Sequence, residues 1–309
     1  MIERIYIGCC ATDVWLARIS VASIRYWHPD APICLLRDHG RGFADTSEIE
    51  KYWSVDVLDC TPAFAGCGFT KIELLLRPKQ ERFLFVDADT AFVGPVLDTL
   101  QDRPEQFVIS PDFIADPRTH HVIPFYFDDA KLREYDPGYV FPGYVFNTGQ
   151  FVATSGVLRA EDFAEIVGWK VPPAWLLRDV FSSAEQGFLN YLFARRAQQG
   201  ALTLGTATLY YDGLSEEAAR LEFRPPARDH RFLLHWPGEK SPTAGGYTRG
   251  DVLQYFEDLY YSRIPGGAAK RAIRTGQRLA RWWRRDLSVK AYQALPLGVR
   301  QMVKRLAGR

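Results

Sequence analysis

The stretch RFLFVDADTAF, residues 82–92, ends an apolar run on two carboxylates, Asp87 and Asp89. The run predicts a buried strand. An unpaired buried carboxylate is expensive, so something must compensate these two. One residue apart at a strand end, both can face one point. A divalent cation there would neutralise them and keep open positions for phosphate oxygens. A turn rich in Asp would read the same, so the pair alone does not decide.

The elements around the pair predict where it sits. Strand-like runs at 4–8, 31–36 and 54–58 alternate with helical spacing at 14–27 and 69–76, which predicts a nucleotide-binding α/β sheet. Residues 82–87 are apolar on both faces, the pattern of a central parallel strand. In such sheets ligands bind beyond the carboxyl ends of the strands, where Asp87 and Asp89 fall. Residues 111–143 are rich in loop signals. Further on, 144–154 and 231–235 predict strands, and 184–196 and 251–261 helices. IPGG at 264–267 marks a boundary, giving a catalytic domain over 1–265 and an appendage over 266–309.

Composition bounds the rest. The 309 residues are 47% hydrophobic, enough for one large domain with an appendage or for two small domains. Five cysteines with no C-x-x-C pair predict a reduced, cytoplasmic protein and no zinc site. The opening MIERIYIGCC predicts a strand and no signal peptide, and no apolar run is long enough to span a membrane. The net charge of +1 hides an asymmetry. From Ala268 onward there are 12 Lys and Arg against a single acidic residue, Asp286, so the tail carries +11 and the remainder −10.

Phosphatases of the haloacid dehalogenase superfamily also end a strand with D-x-D. They want Thr or Val two places after the second Asp, where this chain has Ala91. A different ordered set fits. IYIGCCATD followed by ISVASIRYWHPDAPI, then FTKIELLLRPKQERFLFVDADTAFVGPV, YVFNTGQF, SAEQGFLNYLF and HWPGEKSP resemble, in order, the motifs of retaining glycosyltransferases of family 8. The resemblance spans roughly residues 3–242 and implies a GT-A fold, a Rossmann-like mixed α/β sheet flanked by helices. It also implies a UDP-sugar donor and a divalent metal, Mn2+ or Mg2+.

Carried over position by position, the resemblance makes Asp87, Asp89 and His235 the metal ligands, with Ala88 between the carboxylates. Two oxygens and an imidazole suit manganese. Lys71 would reach the diphosphate or donor sugar. Gly238 and Lys240 would bind the diphosphate, although the H-x-x-G-x-K spacing is one residue short of the family's. Asn147 and Gly149 would line the sugar pocket. Glu185 and Gln186 match the family's Asp-Gln pair beside the reacting carbon, with Glu in place of Asp. Gly8, Cys9 and Cys10 would form the lip of the uridine pocket. Tyr139, Phe141, Tyr144 and Phe146 could stack on acceptor rings or simply fill the core.

The tail predicts a pair of interfacial helices. Its first part carries Lys270, Arg271, Arg274, Arg278, Arg281, Arg284 and Arg285 among Ile273, Leu279, Trp282 and Trp283. Its second part spaces Val299, Met302, Val303 and Leu306 along one face after Pro296. Basic residues suit anionic lipid and Trp suits the headgroup zone. A solvated helix or a nucleic-acid patch would share this pattern. An enzyme acting on lipid-linked glycans favours a membrane partner at the inner face of the membrane and no nucleic acid. The reading is therefore a hexosyltransferase acting on a glycan or glycolipid such as lipopolysaccharide. Its rivals are a degenerate sugar- or membrane-binding protein and a sugar-nucleotide pyrophosphorylase, whose Gly-rich, Arg- and Lys-bearing first loop is missing.

Overall fold

Strands β1 (Arg4–Cys10), β2 (Ile33–Asp38) and β3 (Asp56–Asp59) run parallel, linked by helices α1 (Val14–Trp27) and α2 (Ser47–Trp53). After the short helix α3 (Thr70–Leu75), β4 (Arg82–Asp87) enters beside β1, also parallel, with Gly8 opposite Asp87. This is the computed structural model of the chain, and it describes residues 1–40, 42–66 and 68–295. The described chain divides into two compact units, Met1–Pro237 and one beginning at Gly238.

The remaining strands of the first unit are β5 (Thr90–Phe92), β6 (Phe107–Phe113), β7 (Tyr144–Thr154), the short hairpin β8 (Val167–Gly168) and β9 (Ala174–Trp175), then β10 (Leu204–Thr206), β11 (Tyr210–Asp212) and β12 (Leu233–His235). Its remaining helices are α4 (Asp129–Tyr135), α5 (Glu185–Gln198) and α6 (Glu216–Arg220). The main sheet has the order β10-β6-β7-β4-β1-β2-β3, and a second sheet has the order β11-β12-β5. The two meet at Asp87–Ala88–Asp89, the link between β4 and β5.

β4 is apolar on both faces, yet only its β1 side is parallel; β7 pairs with it antiparallel. The sheet is thus mixed, as the resemblance implied, with β4 central in it and parallel to β1. Both faces are covered whatever the strand direction, and coverage is what the composition encodes. Phe83 and Phe85 bury against Phe151 of β7, and Phe107, Phe146 and Phe151 pack on Phe193 of α5.

β7 bulges where the FNTG segment lies. Ile109 of β6 faces Phe151, but Pro111 faces Phe146, so residues 147–150 stand opposite Ser110 alone. Proline has no N–H to continue the ladder, and a bulge of this kind re-aims side chains beside functional sites. The freed backbone is taken up by α5: Asn190 accepts from Phe146 N at 2.8 Å and donates to Phe146 O at 2.8 Å.

In the second unit α7 (Gly250–Ser262) packs on α8 (Gly267–Ala294), with position 265/266 in the turn between them. Here the expected helix pair begins as one continuous helix of 28 residues. Val299, Met302, Val303 and Leu306 fall outside the described residues. No described helix is long and apolar enough to cross a membrane.

Candidate active site

Asp87 ends β4 at the carboxyl edge of the sheet, and its backbone oxygen accepts from Thr90 Oγ1 at 2.8 Å. That turn sends the chain into β5, which pairs antiparallel with β12 so that His235 lies opposite Thr90. Trp236 N donates to Asp89 O at 3.1 Å. The small sheet therefore carries a residue 146 positions downstream of Asp89 to the D-x-D turn. His235 Nε2 stands 3.3 Å from Asp89 Oδ1, and its ring is buried. Donor atoms of Asp87, Asp89 and His235 all fall within 4.8 Å of one another.

Gly149 on the β7 bulge explains how closely the elements approach. A Cβ there would stand 2.7 Å from Asp87 Oδ2, 2.7 Å from His235 Cε1 and 2.8 Å from Asn147 Oδ1. Asn147 Oδ1 instead accepts from Gly149 N at 2.7 Å, closing the bulge on itself. Replacing Gly149 by Ala should push the carboxylate and imidazole apart. Manganese affinity, read from the thermal shift it induces, is expected to fall about 10- to 100-fold; an unchanged titration would show that this spacing does not matter.

Opposite the carboxylates lies Lys71, buried on α3. Its Nζ donates to Thr148 O at 2.9 Å and to Glu185 Oε1 at 3.3 Å, and stands 3.7 Å from Asp87 Oδ1. It also sits 5.0 Å from the centre of the Phe85 ring. Glu185 begins α5, pressed against Gly68, where a Cβ would come within 2.1 Å of its carboxyl carbon. Gly68 has φ +76, a conformation that suits glycine. Ala184, just before Glu185, also has positive φ, +46, which costs a non-glycine residue energy. Gly8, Asp13, Gly68, Lys71, Glu185 and the D-x-D turn line one cavity of about 240 Å3.

The electrostatics follow from crowding. Burial lifts the Asp87 carboxyl above its ordinary range, opposed by Lys71 and assisted by Asp89. Burial likewise lifts Glu185, with Lys71 opposing. Burial works against the charged forms of Lys71 and His235, but the carboxylates outweigh it. Asp87 and Glu185 hold Lys71 up, and the Asp89 hydrogen bond holds His235 up. His235 Nδ1 is buried without a hydrogen-bond partner. Two oxygens and an imidazole nitrogen at this spacing, with neighbouring carboxylates short of positive charge, fit a divalent cation such as manganese.

The other residues singled out in the sequence fall as follows. Gly8 lines the cavity, whereas Cys9 is buried within β1, its thiol pushed up to about 12 by burial. Cys10 donates from Sγ to Asp13 Oδ2 at 2.9 Å. Gln186 binds Thr148. Gly238 and Lys240 belong to the second unit, where Gly238 has φ +78 and Lys240 is exposed. Tyr139 and Phe146 are core residues, while Tyr144 meets the exposed Phe113 edge-on. Asp13, Gly68 and Thr148 were missed in the sequence. Only Gly68, inside the GCGF turn signal, had a readable cue.

No family model matches the sequence, and no curated protein matches it. Solved structures do match. The chain is similar to the galactosyltransferase LgtC in complex with donor and acceptor sugar analogues, over 85% of this chain and 97% of that one, at 15% identity and TM-score 0.55. An active-site mutant of LgtC matches with 14% identity and TM-score 0.52, over 85% of this chain and 97% of its own. The apo bifunctional glycosyltransferase WbbM matches over 84% of this chain and 49% of its own, with 14% identity and TM-score 0.53. With the mixed sheet and the D-x-D turn at its carboxyl edge, this likeness establishes that the chain has the GT-A glycosyltransferase fold.

Proposed function

We propose that the protein is a metal-dependent glycosyltransferase of the family 8 type, moving a hexose from a UDP-sugar to a glycan with retention of configuration. The observation that carries this is the convergence of Asp87 and Asp89, with His235 beside them, and of Lys71 and Glu185 on one cavity at the carboxyl ends of β1 and β4. The sugar-bound state of LgtC, a structure of the same fold, supports a sugar donor and acceptor here.

In this reading Asp87, Asp89 and His235 hold the cation, and a bound cation supplies charge stabilisation to a departing diphosphate. Lys71 adds a second positive charge on the same side. Asn147 and the Gly149 backbone wall the sugar, and Gly8 and Asp13 face the nucleoside end. Glu185, placed against Lys71, is the carboxylate available to a developing oxocarbenium centre. Gly238 and Lys240 are assigned to the diphosphate from their motif. UDP release measured across a panel of UDP-sugars, with and without manganese, tests the reading. No release with any donor, from folded protein that binds no UDP, would overturn it.

We further propose that the acceptor is lipid-linked and that α8 holds the protein on an anionic membrane surface. Within the second unit α8 docks through its arginines. Arg271 and Arg278 bind opposite oxygens of the buried Glu257 at 3.0 Å each, and Arg278 Nε donates to Pro242 O at 2.9 Å. The large apolar residues are the ones left exposed: Ile273 at 61%, Trp283 at 60% and Leu287 at 62%. Basic Arg281, Arg284 and Arg285 are exposed beside them. Each basic residue near an anionic leaflet contributes about 1 kcal/mol, and Trp insertion adds a part that salt does not screen. Replacing Trp282 and Trp283 by Ala, with Arg281, Arg284 and Arg285 by Gln, should release the protein from anionic liposomes. UDP release from a soluble acceptor reaction should be unchanged. Undiminished sedimentation with the vesicles would refute the assignment.

A further inference from the structure

A second cavity, of about 580 Å3, is larger than the one at the D-x-D turn and shares no lining residue with it. None of the segments that resemble family 8 contributes to it. Its walls come from residues 117–130 and from the stretch just before α5. Asp128 N donates to Val180 O at 2.8 Å and Ser182 N donates to Tyr126 O at 2.9 Å, so the two stretches run antiparallel through the Phe127–Phe181 bridge. Gly187 braces the start of α5 on the same place, because a Cβ there would meet Tyr126 O at 2.1 Å. Ser182 lines this cavity and Glu185 lines the first. Three residues of extended chain span at most about 11 Å. The two cavities therefore stand within reach of one short oligosaccharide.

The lining selects the kind of ligand. His120 and His121 stack, with ring centres 4.8 Å apart and planes 21° from parallel, over a floor that includes buried Ile123 and Phe127. His120 Nδ1 accepts from Val122 N at 3.3 Å, so in the neutral ring Nε2 carries the proton as a donor. Asp128 caps α4 through Oδ1, which leaves Oδ2 to the cavity, and the Asp179 carboxylate is 70% exposed. Flat faces with carboxylates and a serine hydroxyl around them suit a sugar ring. The faces cover its C–H side, and a carboxylate accepts from neighbouring hydroxyls. An anion is disfavoured, because Asp128, Asp129 and Asp179 outnumber Arg118, which Asp116 already binds at 3.1 Å. A metal ion is disfavoured as well: among the described residues only Asp87, Asp89 and His235 bring three donors to metal spacing. A lipid chain would strip water from the carboxylates with nothing in return.

We propose that this cavity is a remote sugar subsite, which holds a neutral ring of the glycan acceptor at least one unit away from the ring that receives the transferred sugar. The choice of occupant rests on the glycosyltransferase reading above. Contacts made here are the same before and during transfer. They lower KM for a long acceptor and leave kcat unchanged.

The test uses the full chain and two variants, Asp179→Asn and His121→Ala, both at exposed positions outside the donor cavity. Neutral tri- to hexasaccharides of glucose, galactose, mannose and N-acetylglucosamine are titrated by ligand-observed NMR without manganese or nucleotide. At least one should bind the unsubstituted protein, and each variant should weaken it about tenfold, as for one lost hydrogen bond to a charged group or one lost ring face. With manganese and a UDP-sugar, KM for that oligosaccharide should rise about tenfold in each variant at unchanged kcat. KM for the UDP-sugar, and KM for a monosaccharide glycoside too short to reach the cavity, should stay within about twofold. The proposal is overturned if no oligosaccharide binds, if the variants bind as well as the unsubstituted chain, if the monosaccharide suffers the same loss, or if spermine or inorganic phosphate displaces the sugar from this cavity. Oligosaccharide binding that the variants weaken, in a protein that releases no UDP from any donor, would bring down the transferase reading alone.

Discussion

Replacement of Asp89 by Ala is expected to lower kcat by about a thousandfold or more without unfolding the protein, and EDTA should do the same to the unsubstituted chain. The side chain is expendable to the fold because the β5–β12 ladder holds its backbone, through Trp236 N and the Thr90–His235 pairing. In the proposed reading its carboxylate is not expendable, because Asp87 and His235 would then be the only residues of the trio left to hold the cation. His235→Ala should be milder, raising the manganese needed for half-maximal activity and sparing metal-free nucleoside binding. Acidity should act in the same direction as ligand removal. Asp87 is lifted above the ordinary carboxylate range by burial and by Asp89, so protons compete with the cation at a pH where an open Asp would be ionised. A raised carboxyl pKa also means that the metal-free fold gains stability as pH falls, while the cation's added stability is lost. Thermal melts with and without manganese should therefore converge on acidification. Full transfer activity of folded protein in EDTA would refute the metal assignment.

The strands that carry the site were legible because apolar runs with polar ends encode burial, and burial is local information. α1, β4 and β7 have the bounds their patterns predict. β5 and β11 are three residues each, too short for a period-2 signal, and they are the partners between which β12 carries His235 to the D-x-D turn. The sequence named His235 only through the resemblance of HWPGEKSP; no local feature says which sheet partner Leu233–His235 will find. Residues 111–143 read as loop, yet α4 forms there, capped by Asp128, which accepts from Ala130 N and Lys131 N. The bulge at 147–150 was equally hidden, because it depends on the register shift beside Pro111, inside a strand more than thirty residues earlier. In the tail, the arginines read together as the basic part of an interfacial helix pair. The structure splits them into Arg271 and Arg278, which bind Glu257, and the exposed set beyond.

Lys71→Met should be the most damaging single change to stability at this site as well as to activity. The ammonium is 3% exposed and is the nearest positive charge to both Asp87 and Glu185. Methionine keeps much of the packing against Phe85 and removes only the charge and its hydrogen bonds. Breaking a buried pair from one side typically costs about 3–5 kcal/mol, because the partner stays desolvated. Asp87 is 37% exposed and Glu185 14%, so water will screen part of this and the lower end is expected. The loss should depend on pH with a definite sign. Lys71 is raised, so its contribution is intact at neutral pH and disappears only in strong alkali. In the Met variant the two carboxyls, already raised, rise further and bind protons more readily. The variant should therefore recover stability as pH falls toward the acid range, where both carboxyls become neutral, and the gap to the unsubstituted protein should narrow. Adding Glu185→Gln to Lys71→Met should return part of the lost stability at neutral pH, since one orphaned carboxylate is gone. It should return no turnover, because neither the ammonium proposed to face the diphosphate nor the carboxylate proposed to face the sugar is restored. Urea melts of the two variants across pH decide the matter. If Lys71→Met were as stable as the unsubstituted chain at neutral pH, or if its loss did not shrink on acidification, then Asp87 and Glu185 do not depend on Lys71 for compensation, and the charge that balances the D-x-D turn must come from elsewhere.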